Sequence, residues 1–305
     1  MTLYYAPAIF SYLLGRCFAD KSRFVTRFCA LGATVIATFA VLWWPFLAFP
    51  PSQAPETTTI DRLLHVLHRI FPFQRGLFEG KVANLWCALS VKPFSIRKRI
   101  PLSIQPVAAL GMTILLILPA CYKLFLIGLS VDGKRKTAER DWNRLLWGSA
   151  STGLAFFLAS FQVHEKSILI PMAPLSLLLW DDYGLVNWFA VASTWTLWPL
   201  LTVDRLEVAY FCTILIFLAL FWVCSESPRR HEAQGFFDLP TLGRPALLGS
   251  VAAMLALHGL EAAITPPASL KDLFPVLWSI AGCGMFGISW VATCWHLLRQ
   301  SKKDV

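Results

Sequence analysis

Residues 28–49 read FCALGATVIATFAVLWWPFLAF, an apolar run with no charged side chain that closes at Pro50 and Pro51. A hydrocarbon layer about 30 Å thick is crossed by about 20 such residues wound as an α-helix, because in lipid each backbone N–H and C=O must be satisfied within its own segment. The apolar positions are continuous rather than alternating, which excludes a β-barrel strand. This stretch predicts a transmembrane helix and sets the fold class: an all-α, polytopic transmembrane helical bundle.

Working outward, further spans are expected at Val107–Ile127, Leu145–Val163, Ile168–Trp180, Val186–Val203, Val208–Cys224, Leu247–Ile264 and Leu273–Leu298. A short run at Leu3–Leu14, interrupted by Pro7, reads as the end of a ninth helix, giving about eight to nine spans. Ile168–Trp180 is brief and carries Pro171 and Pro174, so a kinked or partly re-entrant helix is expected there. Composition agrees with this reading. Hydrophobic residues make up 56% of the 305, charged residues only 15%, and the mean hydropathy is +0.58, whereas soluble domains carry about 25% charged residues. No repeat or soluble domain boundary is visible, so residues 1–305 are read as a single membrane domain. The opening MTLYYAPAIF has no basic segment of the kind that begins a cleavable signal peptide.

The net charge of +9 is spread over short loops instead of forming one basic domain, which argues against nucleic acid and for contact with membrane lipids. The loops at 16–27, 128–144, 181–185 and 225–246, with the tail from Arg299, hold fifteen Lys and Arg. The opposite short loops hold Lys166, Arg205 and Lys271. By the positive-inside rule the first set is cytoplasmic. The turn Gln162–Lys166 and the long polar segment 50–101 then share the other, luminal face. Within that segment Ile60–Phe71 places apolar residues on one side and Asp61, Arg62, His65, His68 and Arg69 mainly on the other, an interfacial amphipathic helix with Thr58 as N-cap, Asp61 three residues on and Pro72 as its stop. The eight cysteines are scattered, mostly within spans, and form no CxxC pair, so they read as packing residues.

Chemistry-bearing residues concentrate on the luminal side. The stretch Phe71–Cys87, FPFQRGLFEGKVANLWC, brings together Arg75, Glu79, Lys81, Asn84 and Trp86. Arg75 and Lys81 suit phosphate contacts. Glu79 is the local carboxylate, for which pairing with either cation is an equal alternative to a catalytic task. Trp86 suits stacking on a sugar ring or, as readily, an aromatic belt. The turn FQVHEKSIL sets His164, Glu165 and Lys166 at a membrane boundary, either as a solvated turn with a snorkelling lysine or as a binder of an anionic lipid headgroup. His65 and His68 share a helix face, but no third metal ligand accompanies them. His258 and Glu261, within one span, are expected to pair at i, i+3.

LYYAPAIFSYLLGRCF from Leu3, LHRIFPFQRGLFEGKVANLWC from Leu67, LPACYKL from Leu118, SFQVHEKSILIPMAPLSLL from Ser160 and LKDLFPVL from Leu270 resemble the endoplasmic-reticulum α-1,3-glucosyltransferases that use dolichyl phosphate glucose. The resemblance implies a GT-C type fold and a hexosyltransferase of N-glycan precursor assembly. Its donor is dolichyl phosphate glucose, its acceptor a high-mannose dolichyl-pyrophosphate oligosaccharide. Residues 75–84 look more like the enzymes that add the first glucose than the paralogues that add the second. The implied roles are His164 as the catalytic group facing the departing lipid phosphate, and Arg75, Glu79, Lys81, Asn84, Trp86, Glu165 and Lys166 as substrate-binding residues; no cofactor is implied. Family members begin with further spans and a luminal loop that carries the acidic general base. The sequence is therefore expected to be a C-terminal portion that is inactive alone. A lipid transporter is the competing reading, though the paired broken helices in two halves that it predicts are not found.

Overall fold

The computed structural model describes residues 2–49, 58–70, 82–91, 94–130, 135–225 and 235–299. Among these residues the regular structure is entirely helical. In chain order the helices are α1 (Ala6–Ala19), α2 (Phe24–Ala48), α3 (Thr59–Ile70), α4 (Leu85–Leu89), α5 (Ile96–Arg99), α6 (Gln105–Leu129), α7 (Arg135–Ala159), α8 (Leu169–Leu177), α9 (Tyr183–Thr196), α10 (Trp198–Val203), α11 (Glu207–Ser225), α12 (Gly243–Ala263) and α13 (Leu273–Arg299). Four stretches are long and apolar enough to cross a membrane by length and composition: Lys21–Ala48, Gln105–Leu129, Gly243–Ala263 and Ala268–Arg299. Shorter apolar helices run over Ala6–Ala19 and Glu207–Val223.

The surface pattern follows from lipid as solvent. α2 has no buried residue and exposes Ile36, Val41, Leu42, Trp44 and Phe46; α6, α11 and α12 likewise expose Val107, Leu110, Leu215, Trp222, Leu248 and Leu255. In water such contiguous apolar faces are a liability; against acyl chains they are the expected outside of a bundle. Inside, α7 and α13 form the spine, with Trp147, Leu154, Phe157, Trp278 and Phe286 fully buried. Helices without a hydrophobic drive to associate in lipid pack through small residues. At the α1–α6 contact a Cβ on Gly15 would lie 2.2 Å from the Phe125 carbonyl oxygen, and one on Gly128 would lie 2.3 Å from that of Tyr12, so only hydrogen fits between these backbones.

Local signals placed some elements and misread others. The amphipathic helix is present with its cap: the Thr58 backbone N–H donates to Asp61 Oδ2 at 3.1 Å and the Asp61 N–H to Thr58 Oγ1 at 3.2 Å, a reciprocal capping box. The single span expected over Val186–Val203 is two helices, α9 and α10, broken at Leu197. Pro199 is the reason: it has no N–H to bond back to the α9 carbonyls and suits the first turn of a new helix. The short segment 168–180 becomes a 3-10 turn, Glu165–Ile168, followed by α8, whose nine residues cover only about 13 Å.

Contacts sort the loops into two ends. His296 and Ser279 lie on the single helix α13, about 25 Å apart at 1.5 Å per residue. His296 joins Asp182 and Ser279 joins Val82. The 181–185 turn and the segment around Phe236 meet at the first end, and the 82–90 segment and the 160–168 turn at the second.

Candidate functional site

The second end is built around the turn between α7 and α8. The chain leaves α7 at Ala159 and reverses at Gln162, which holds a left-handed φ of 59°; a non-glycine residue there costs about 1–2 kcal/mol. Three contacts from distant sequence hold the turn in place. The Trp86 indole donates to the Ala159 carbonyl at 2.8 Å. Tyr4 lies against the turn with its ring stacked on Phe156 at 5.1 Å and its hydroxyl in the electrostatic reach of Ser167 and Ser160. The Tyr5 hydroxyl donates to the Ile170 carbonyl. Between these clamps His164 and Lys166 remain exposed and Glu165 half-buried. His164 caps the 3-10 turn through its backbone, its carbonyl accepting the Ser167 N–H at 2.9 Å.

The 82–90 segment is anchored as firmly. Asn84 is buried and N-caps α4, its Oδ1 accepting the Cys87 N–H at 2.9 Å. Trp86 is 4% exposed and packs with Ala109, Ile100, Met112 and Phe161. Ser279 Oγ donates to the Val82 carbonyl at 2.6 Å, and a Cβ on Gly282 would strike Ala83 and Thr196 at 2.8 and 2.5 Å. Burial pushes the Cys87 thiol up to about 11, the nearby Glu165 adding to the rise while Val82 and Arg97 oppose it. Glu165 therefore lies in the electrostatic reach of α4. Of the sequence-predicted site residues, the structure brings Asn84, Trp86, His164, Glu165 and Lys166 to one end of the bundle. Arg75, Glu79 and Lys81 lie outside the described residues. Asn84 Oδ1 and the Trp86 indole N–H are engaged within the fold, the first capping α4 and the second anchoring the turn. No group of three His, Cys, Asp or Glu among the described residues is arranged to hold a metal.

His258 and Glu261 do not pair as the i, i+3 spacing predicted. His258 Nε2 meets the Tyr210 hydroxyl at 3.0 Å, and Glu261 Oε2 accepts the indole N–H groups of Trp198 at 2.8 Å and Trp278 at 3.2 Å. Partners from α10, α11 and α13 lie nearer to each group than its helical neighbour.

At the other end is a cluster that sequence reasoning missed. Asp182, 4% exposed, accepts the Leu185 N–H at Oδ1 (2.9 Å) and, at Oδ2, the Phe236 N–H (2.6 Å) and His296 Nε2 (2.8 Å). His296 stacks on Trp147, ring centroids 4.0 Å apart at 6°. Asp181 accepts from Trp147 Nε1 at 3.2 Å and from Asn143 Nδ2 at 3.1 Å. Burial would raise the Asp182 carboxyl, but the bonds from His296, Leu185 and Phe236 outweigh it and hold the group below the usual carboxylate range; Asp181 is raised by burial, which the bonds from Trp147 and Asn143 only partly offset. The available signal was an isolated histidine in the last turn of an apolar helix, which calls for a buried acid.

Residues 1–292 match the model of the "ALG6, ALG8 glycosyltransferase family". A relative from Schizosaccharomyces pombe, "Probable dolichyl pyrophosphate Man9GlcNAc2 alpha-1,3-glucosyltransferase", is 37% identical over 99% of this chain and 54% of its own length. The Mus musculus and Saccharomyces cerevisiae proteins named "Dolichyl pyrophosphate Man9GlcNAc2 alpha-1,3-glucosyltransferase" are 35% and 28% identical, covering 94% and 100% of this chain and 55% and 56% of their own lengths. The chain thus spans about half the length of the curated relatives it matches.

Proposed function

The chain belongs to the ALG6, ALG8 glycosyltransferase family, and on that premise we propose that it serves transfer of glucose from dolichyl phosphate glucose, in α-1,3 linkage, to a high-mannose dolichyl-pyrophosphate oligosaccharide. The relatives' names, which specify an acceptor without glucose, support addition of the first glucose over the second. The bundle is read as GT-C type with about eight to nine spans in the endoplasmic-reticulum membrane, the 160–168 turn facing the lumen. Support for that orientation is the excess of Lys and Arg at the opposite end.

Direct displacement with inversion needs a base on the acceptor hydroxyl, stabilisation of the departing lipid phosphate, and exclusion of water. The second of these tasks is assigned to this chain's His164 and Lys166, with Arg75 from the preceding segment. The observation that carries the reading is the construction of the turn: two side-chain hydrogen bonds from distant sequence, from Trp86 and Tyr5, hold its backbone while the two basic side chains stay exposed. A preorganised donor pair of this kind suits an anion held at a membrane surface. Glu165, half-buried beside these two, is assigned the orienting of Lys166 or of a sugar hydroxyl.

The test is binding of dolichyl phosphate glucose to the purified chain in lipid nanodiscs. His164→Ala is expected to weaken it by about 10- to 100-fold, the loss of one charge-assisted hydrogen bond, and to lower glucose transfer in membranes that carry the activity. Donor affinity and transfer both equal to those of the unaltered protein would reduce the turn to a structural element.

A further inference from the structure

Four helices converge near their ends on a second polar group at the same face as the 160–168 turn. Glu261 lies on the last turn of α12, Trp198 begins α10, Tyr210 lies one turn into α11, and Trp278 lies near the start of α13. A single oxygen of Glu261, Oε2, accepts both indole N–H groups. The other, Oε1, has no hydrogen bond among the described residues, and no described Lys or Arg lies within ion-pair distance. His258, one turn earlier, uses Nε2 on the Tyr210 hydroxyl and leaves Nδ1 unbonded among the described residues. Its ring is flanked by Trp198 and Trp278, at centroid distances of 4.9 and 4.8 Å and both near 75°. Glu261, His258 and Trp198 are half-buried, so the group opens outward. Behind it Trp195, 2% exposed, has its ring centroid 3.9 Å from that of Trp278 and an indole N–H with no acceptor among the described residues.

An ionisable pair near the end of a membrane helix is costly unless it is used. A carboxyl oxygen fixed by two indoles and an imidazole nitrogen one helical turn away, set among aromatic rings, have the chemistry that recognises neighbouring hydroxyls of a pyranose: an acceptor and a donor or acceptor beside apolar ring surface. We propose that Glu261 and His258, framed by Trp198 and Trp278, form a hexose subsite at this face of the bundle. The subsite adjoins the turn's own anchor, since Ser279, the residue after Trp278, holds the Val82 carbonyl. The inference rests on the glycosyltransferase reading above and deepens it: the turn takes the lipid phosphate, and the Glu261 group takes a sugar ring, either the donor's glucose or the acceptor's mannose.

The experiment uses the 305-residue chain in nanodiscs, with binding followed by tryptophan fluorescence. The probes are a short-chain polyprenyl phosphate glucose, the same polyprenyl phosphate without sugar, and a free mannose-terminated oligosaccharide. Glu261→Gln is expected to lose about 10- to 100-fold in affinity for one sugar-bearing probe while binding the sugar-free lipid unchanged. A loss with the glucosyl lipid assigns the donor ring, and a loss with the oligosaccharide assigns the acceptor. Unchanged affinity for both sugar probes overturns the inference. If Glu261→Gln does not elute as a folded species, Trp198→Phe keeps a ring and removes one donor to Glu261; an undiminished sugar-dependent affinity in that variant overturns it equally. Failure of the unaltered chain to bind either lipid phosphate refutes the phosphate role of the turn instead, and the oligosaccharide arm alone then decides the subsite.

Discussion

Replacing Asp182 by Ala deletes a side chain that three parts of the chain share. Its carboxylate N-caps α9 through Leu185, satisfies the Phe236 N–H ahead of α12 and holds His296 at the end of α13. Loss of the cap costs about 1 kcal/mol. Each of the buried donors left without an acceptor costs about 1–3 kcal/mol. At roughly 2–4 °C per kcal/mol, the apparent unfolding midpoint of the detergent-solubilised chain at pH 7 should fall on the order of 10 °C. The pH dependence has a definite sign. The folded carboxyl of Asp182 is held below its usual range, so the stability it contributes is complete above the unfolded value of about 4. That stability drains away as the pH falls through the lower, folded value. The gap between the unaltered chain and Asp182→Ala must therefore narrow below about pH 4, while Asp181, raised by burial, titrates in the opposite sense. Differential scanning fluorimetry from pH 7 to pH 3 reads both effects. A midpoint drop under about 2 °C at pH 7, or a gap that does not change with pH, would refute this role of Asp182.

Further outcomes follow from other contacts. Gly128→Ala would place a methyl 2.3 Å from the Tyr12 carbonyl oxygen, forcing α1 from α6 at about 1–3 kcal/mol; an unshifted unfolding midpoint would contradict that packing. Trp86→Phe keeps a ring but leaves the Ala159 carbonyl without its donor, costing about 1–3 kcal/mol, and should weaken donor-lipid binding with His164 intact. With Cys87 as the sole cysteine, its thiol, pushed up to about 11 from an ordinary 9.0, should react with maleimide about 100-fold more slowly than an unperturbed thiol at pH 7.5. The rate should rise about tenfold per pH unit; a fast, pH-independent rate would remove the buried environment assigned to α4.

Several features could be read directly from residue order because they are local. Continuous apolar runs in Phe28–Phe49, Val107–Ile127 and Leu273–Leu298 match α2, α6 and α13 to within a few residues, since in lipid a span must satisfy its own backbone. The Thr58–Asp61 cap depends on four consecutive residues. The break at Leu197 was missed because the hydropathy of Val186–Val203 does not register a missing N–H, although Pro199 carried the signal.

For the candidate site, the sequence by itself singled out His164, Glu165 and Lys166, because three ionisable residues at the edge of an apolar run stand out wherever the chain goes. It also assigned Asn84 and Trp86 to the same face. Only the tertiary structure decided what those residues touch. It set Trp86 against Ala159, Tyr4 against Ser160 and Ser167, Glu261 against two indoles, and Asp182 against His296, more than a hundred positions away. Such pairings depend on which helices adjoin in the bundle and how each is rotated. That choice is made by the summed packing of α7 and α13 against their neighbours, a property that no single stretch of the chain carries.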